Sequence, residues 1–332
     1  MFKKIFVILL VLGGVATWLA WNNYQTYLET TINVPEEGYT YQLKPGSNLK
    51  TVAAELHKAG VLDKPKWLYW HARYKKQAAN IKVGEYLLQP GLTPDTLLSL
   101  LASGKSIQYK ITFVEGWTFK QFRQAMLKNT VLVNTLQEMT DEQVMGKLGF
   151  AGQHPEGRFF PDTYQFQRGE TDLDILKRAY KRMSKVLSAA WEGRDENIPL
   201  KSAYEALILA SIVEKETGAA HERPEIAGVF TRRLIKKMKL QTDPTVIYGM
   251  GDRFDGNIRR KDLREATPYN TYVIKALPPT PICMPGKHAI ESAVHPKDGK
   301  SLYFVSKGDG THYFSKTLKE HNAAVNKYIL KK

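Results

Sequence analysis

The sequence is nearly devoid of cysteine: Cys283 stands alone among 332 residues. A single thiol allows neither an intrachain disulfide nor a Cys-rich metal site. Acidic residues are also scarce, 33 Asp and Glu against 48 Lys and Arg, which leaves a formal charge of +15 at pH 7. Such a surface attracts polyanions, but nucleic acid, anionic lipid and acidic wall polymers all meet that description. Long apolar runs are absent except at the start, where residues 5–21 are uncharged and reach the short end of the range that spans a bilayer. Trp18 and Trp21 crowd the place where a signal peptide would need a small-x-small cleavage site, and tryptophan suits an interfacial anchor. With Lys3 and Lys4 ahead of the run, the positive-inside rule predicts a cytoplasmic tail over 1–4, one transmembrane helix over 5–21 and the rest of the chain outside the inner membrane. That placement argues against a nucleic-acid partner.

With 43% hydrophobic and 24% charged residues, the remainder has the composition of a folded protein of about two domains. Residues 22–37 are polar, end in Pro-Glu-Glu-Gly and read as a stalk. From 38 to 108 a pattern occurs twice: a strand (39–43, then 84–88), a Pro-Gly turn and an amphipathic helix (49–59, then 93–101, with Thr93 as N-cap). This predicts a small α+β module. From 109 onward a strand over 106–113 and helices over 119–127, 173–191, 202–217 and 224–240 predict a larger mixed α+β domain. Residues 241–312, rich in Pro, Gly, Tyr, Asn and Thr, form a candidate ligand surface on that scaffold.

The helix at 202–217 is apolar until its end, where Glu214 and Glu216 appear. A carboxyl group in apolar surroundings can stay protonated near neutral pH and so serve as an acid, which breaking a glycosidic bond requires. Two residues apart means about 200° around the helix, so one cleft cannot receive both. The alternative for either is an ordinary solvated helix end. Carboxylates at a helix C-terminus oppose its dipole, however, which favours a functional reason. Downstream, Gln241, Thr242, Asp243 and Tyr248 bring amide, hydroxyl, carboxylate and aromatic groups together, as sugar-binding surfaces do. Tyr269, Asn270, Thr271 and Tyr272 repeat the mixture, with rings able to stack on pyranose faces. Asp-Pro and Asn-Thr are equally ordinary turn residues. No metal or organic cofactor is expected. His221-Glu222 lacks a second histidine at zinc-protease spacing, and residues 249–256 have glycines with no helix predicted after them. His295, His312 and His321 show no ligand spacing and read as structural or substrate-contacting, and Ser211 and Lys215 are four apart where a serine–lysine pair needs three.

Several blocks occur in order along the chain: Glu115-Gly116, Glu156-Gly157 through Phe160-Pro-Asp162-Thr163, Ala210-Ser-Ile-Val-Glu214-Lys-Glu216-Thr217, Leu240-Gln-Thr-Asp-Pro-Thr-Val-Ile-Tyr-Gly-Met-Gly251, Pro268-Tyr-Asn-Thr-Tyr272 and Leu277-Pro-Pro279. In these blocks the sequence resembles the endolytic murein transglycosylases of the membrane-anchored MltG/YceG-like type. The resemblance covers nearly the whole chain. It implies a LysM-like module over 38–108, a catalytic domain over 109–332 and Glu216 as the catalytic residue. Glu214, Glu156, Phe160 and Asp162 would be supporting residues, and Gln241 to Asp243 with Tyr269 to Tyr272 would line the glycan cleft. The stretch around Cys283 departs from the family pattern, and no site is built on that residue.

The resemblance further implies non-hydrolytic cleavage between N-acetylmuramic acid and N-acetylglucosamine, leaving 1,6-anhydro ends inside strands. Its implied partners are peptidoglycan, the membrane and strand-polymerising synthases. Two rivals stand beside it: a hydrolytic muramidase using Asp243 as second carboxylate, and a non-catalytic wall-binding protein that recruits synthases.

Overall fold

The computed structural model describes residues 2–331, so the first residue of the expected tail and the last of the expected catalytic domain lie outside the described residues. The chain divides into two compact units, one running to Tyr109 and including Gln165–Glu170, the other comprising Lys110–Tyr164 and everything from Thr171 onward.

In the first unit, α1 (Phe2–Glu29) is one uninterrupted helix, long and apolar enough to cross a membrane, and none of its apolar window is buried within the protein. An exposed apolar helix calls for an apolar solvent. The helix does not stop at Trp21, and the first turns of the expected stalk are helical to Glu29. Extending an existing helix costs no new nucleus, and Tyr24 and Tyr27 pack their rings on Trp67. There follow β1 (Tyr39–Leu43), α2 (Leu49–Lys58), α3 (Pro65–Tyr74), β2 (Gly84–Leu88) and α4 (Pro94–Ser103). The two strands pair antiparallel with Tyr41 opposite Tyr86. Their alternation turns Tyr41, Leu43, Tyr86 and Leu88 into a core shared with Val52, Leu56, Leu68, Leu97 and Leu101. Asn48 and Thr93 cap α2 and α4 as side-chain acceptors. Helix α3 was not foreseen from the pattern, because its inward Leu68, His71 and Ala72 are hidden among aromatic and basic residues.

The second unit holds most of β3 (Tyr109–Thr112), then α5 (Phe119–Leu127), α6 (Asp141–Leu148) and the start of β4 (Thr163–Phe166), which pairs with β3. Next come α7 (Asp172–Glu192), α8 (Ala203–Glu216), α9 (Arg223–Ile235), α10 (Asp243–Met250), α11 (Lys287–Val294), the hairpin β5 (Tyr303–Ser306) with β6 (His312–Ser315), and α12 (Leu318–Val325). The fold is mixed α+β. Helix α8 is its axis: every residue from 206 to 213 is buried, under α9 (Ile226, Phe230), α11 (Ala289, Ile290, Ala293) and α7 (Met183, Leu187). A helix apolar on all sides belongs at the centre. Ser202 caps its start by accepting from Glu205 N.

Two expectations are revised. The helix expected over 224–240 ends at Ile235, because the Arg233 guanidinium donates to the carbonyls of Lys239 and Leu240 and holds that stretch off the helical path. Residues 241–312 contain two α-helices, α10 and α11, and in α10 Pro244 occupies the first turn, where proline starts a helix rather than breaking it.

Candidate active site

Both glutamates at the end of α8 are held, but by different means. Glu214 is sealed in: its carboxylate pairs with the Arg223 guanidinium at 2.9 Å and accepts from Gly286 N at 2.9 Å, with only 5% and 10% of the Glu214 and Arg223 side chains exposed. Glu115 joins this cluster, its carboxylate 3.9 Å from Arg223. A Cβ at Gly286 would meet the Glu115 carboxyl, the end of a flexible side chain that would then have to swing aside. Burial pushes the Glu214 carboxyl above its ordinary value, opposed by the Gly286 amide and by Arg223.

Glu216 points the other way, into a cavity of about 460 Å³. Its partner is the Thr242 hydroxyl, which donates to the carboxylate. The residue keeps some solvent contact, yet protein atoms crowd the carboxyl. Burial therefore raises it to about 7, with Asp243 adding to the rise and the Thr242 hydroxyl, His312 and Arg233 opposing it. A group near neutrality can lend a proton and take one back at physiological pH.

The loop that carries Thr242 is built with care. Gln241 adopts φ +52°, a left-handed conformation uncommon outside glycine. It is held there by Gln241 N donating to Thr271 O at 3.1 Å and by Arg233 donating to Leu240 O at 2.7 Å. Thr242 N donates to Thr271 Oγ1 at 3.0 Å, and Thr245 Oγ1 bonds Thr242 O and Thr271 Oγ1. Asn270 in turn fixes its own loop, donating to the carbonyls of Asp262 and Glu265 and accepting from Tyr272 N. Tyr272 OH donates to Asp243 Oδ1 at 2.6 Å.

Gln241, Thr242, Asp243 and Tyr272 thus line the cavity with Glu216. Asn270 and Thr271 do not: they are buried beneath its wall and hold it in place. Tyr248 and Tyr269 lie off the cavity, edge to face at 5.0 Å, with hydroxyls committed to Glu156 and Thr280. Glu156 is buried, accepting from Phe119 N at 3.0 Å and from Tyr248 OH at 3.1 Å, and burial lifts its carboxyl to about 8. It ties α5 to α10. Phe160 belongs to the core around α8, and Asp162 pairs with Arg182 at 2.6 Å.

The facing wall of the cavity comes from Arg233 on α9, Tyr303 and Phe304 on β5, and Leu318, His321 and Asn322 on α12, of which the sequence singles out only His321, as structural or substrate-contacting. His321 Nδ1 is buried without a partner among the described residues, and burial together with the Arg233 charge lowers this imidazole's affinity for a proton. The one available signal was the Thr317-x-x-Glu320 capping box, which marks α12 but says nothing of what it faces. Among the described residues no group of three or more His, Cys, Asp or Glu could hold a metal ion.

The model of the YceG-like family matches residues 41–327. A Bacillus subtilis protein named endolytic murein transglycosylase is 34% identical over 322 residues, covering 92% of this chain and 86% of that protein. A Streptococcus pneumoniae protein of the same name is 26% identical over 362 residues, covering 98% of this chain and 64% of that longer protein. The crystal structure of a yceG-like protein from Listeria monocytogenes superposes with a TM-score of 0.54 at 28% identity, covering 87% of this chain and all of that one.

Proposed function

This chain belongs to the YceG-like family, and we propose that it cuts peptidoglycan glycan strands internally as a lytic transglycosylase, with Glu216 as the acid and then the base. The name shared by its relatives supports the reaction. The observation that carries the residue is a near-neutral carboxyl at the wall of an open cavity, answered by one hydroxyl and, among the described residues, by no ion pair within 4 Å.

The chemistry follows from a single group used twice. Glu216 protonates the oxygen leaving the muramyl anomeric carbon, and the muramyl 6-hydroxyl attacks that carbon while the new carboxylate takes its proton. The internal hydroxyl has the effective concentration of an intramolecular reaction, so no activated water is required. Burial and Asp243 favour the protonated acid, whereas Thr242 and the Arg233 charge favour the carboxylate, and the balance keeps both forms within reach. Gln241, Thr242, Asp243 and Tyr272 contact the glycan from one wall, and His321 and Asn322 from the other. Glu214, Glu156, Asn270 and Thr271 position these groups from beneath.

Around this centre, residues 38–108 serve as a LysM-like module, a reading supported by two antiparallel strands with two helices between them. Helix α1 anchors the chain in the inner membrane with residues 109–332, the catalytic domain, outside. Strand-polymerising synthases are the proposed partners, whose nascent product the enzyme would release. Mass spectrometry of purified strands after digestion tests the reaction. The expected products end in 1,6-anhydro-muramic acid. Reducing muramic ends carrying added water would instead establish a muramidase, with Asp243 as the second carboxylate, and intact strands would leave a wall-binding protein.

A further inference from the structure

Helix α3 is clamped to the end of the membrane helix and descends along it. Tyr27 OH donates to Lys64 O, the Trp67 ring lies 5.4 Å from Tyr27 and 6.2 Å from Tyr24, and Tyr24 OH meets His71 Nδ1 at 2.6 Å. His71 is itself buried and bonds Asp95 through Nε2 at 2.7 Å, so the clamp is rigid. One turn further on, Tyr74 and Lys75 line a cleft that runs along α1 from Trp21 to Glu29. From Trp67 beside Tyr27 to His71 beside Tyr24, α3 runs back along α1, and its C-terminal end is directed toward the level of Trp21.

That level is the membrane surface if α1 spans the bilayer, the reading on which this inference rests. Tyr24 and Tyr27 lie about 5–9 Å beyond Trp21 at 1.5 Å per residue, and the headgroup layer is itself about 5–8 Å thick on each side. The outward face of α3 has the composition such a layer selects. Trp70 and Tyr74, one helical turn apart, are 67% and 80% exposed, which is unusual for large aromatics in a folded domain. Arg73, Lys75 and Lys76 are exposed beside them.

We propose that the end of α3 is a membrane-surface contact of the first unit, with Trp70 and Tyr74 seated among the headgroups and Arg73 and Lys76 paired with anionic lipid phosphates. Lys75 is partly engaged by Asp95 and contributes less. The contact would fix the tilt of the 38–108 module against the bilayer instead of leaving it on a free stalk.

The test uses the full-length chain in proteoliposomes of phosphatidylcholine, with or without one third phosphatidylglycerol. A nitroxide is attached to Tyr74→Cys or, as a control for the label itself, to Ala54→Cys on the exposed face of α2. Buried Cys283 stays unlabelled. Power-saturation spectroscopy compares collisions with lipid-soluble oxygen and with a water-soluble nickel chelate. The expected oxygen-to-nickel ratio is at least about threefold higher at 74 than at 54, and adding Arg73→Glu with Lys76→Glu lowers it at least about twofold in the anionic vesicles only. Equal ratios at 74 and 54, or a label at 74 shielded from both reagents by protein, would overturn the contact. A ratio indifferent to lipid charge and to charge reversal would overturn the headgroup pairing. Release of the chain by alkaline carbonate would overturn the membrane reading of α1 itself, separately from the transglycosylase assignment.

Discussion

The two faces at the end of α8 present the same functional group in contrasting surroundings. Glu214 and Glu216 are both raised by burial, yet Glu214 has a guanidinium and a backbone amide against it, while Glu216 has one hydroxyl and open space. A buried carboxylate that is fully paired holds parts of the fold together. One that is buried and underpaired beside a cavity is poised to exchange a proton. Burial alone does not separate the two roles; what answers the charge does.

The largest effect should come from Glu216→Gln, which keeps the shape and removes the proton. Strand cleavage is expected to fall about 10³-fold with thermal unfolding unimpaired, and residual cleavage within tenfold of wild type would erase the contrast. Glu214→Ala sharpens it from the other side: stranding Arg223 should destabilise the protein by about 3–5 kcal/mol in denaturant unfolding. Turnover per folded molecule should fall far less than in Glu216→Gln. Glu156→Gln comes next. A carboxyl raised to about 8 in the fold favours the folded state fully below its unfolded pKa and loses that contribution as pH climbs to about 8. The variant should therefore gain on wild type by about 3–4 kcal/mol between pH 5 and 8, and parallel stability curves would refute a neutral Glu156. The smallest effects are a pair of opposite sign. Thr242→Val removes a bond to the Glu216 carboxylate and should move the alkaline limb of the activity profile up, whereas Asp243→Asn removes a like charge and should move it down, each by about half to one pH unit. Shifts in the same direction would contradict the forces assigned to Glu216.

The divergence of these two faces was legible in the sequence, because helical pitch alone forbids residues 214 and 216 from facing one cleft. So were β1, β2, α5 and the cap of α4, where alternation, period and capping residues agree. The resemblance, not the pitch, chose Glu216. What stayed hidden is non-local. His321 and Asn322 reach the cavity only because α12 folds back across about a hundred residues, and nothing in their own neighbourhood marks that. Asn270 and Thr271 share a turn with Tyr272, yet only the tyrosine lines the cavity, since the hydrogen bonds of the other two turn inward. Composition also concealed α3, whose exposed aromatics contradict the usual rule for a folded domain until the membrane is counted as a neighbour.

The central claim is that Glu216 is held at the edge of ionisation, and a nuclear magnetic resonance titration of protein labelled with ¹³C at the glutamate carboxyls tests it most directly. The Glu216 resonance is identified by its loss in Glu216→Gln. A midpoint near 7 is the expected result, and a midpoint at the ordinary value near 4.5 would contradict it.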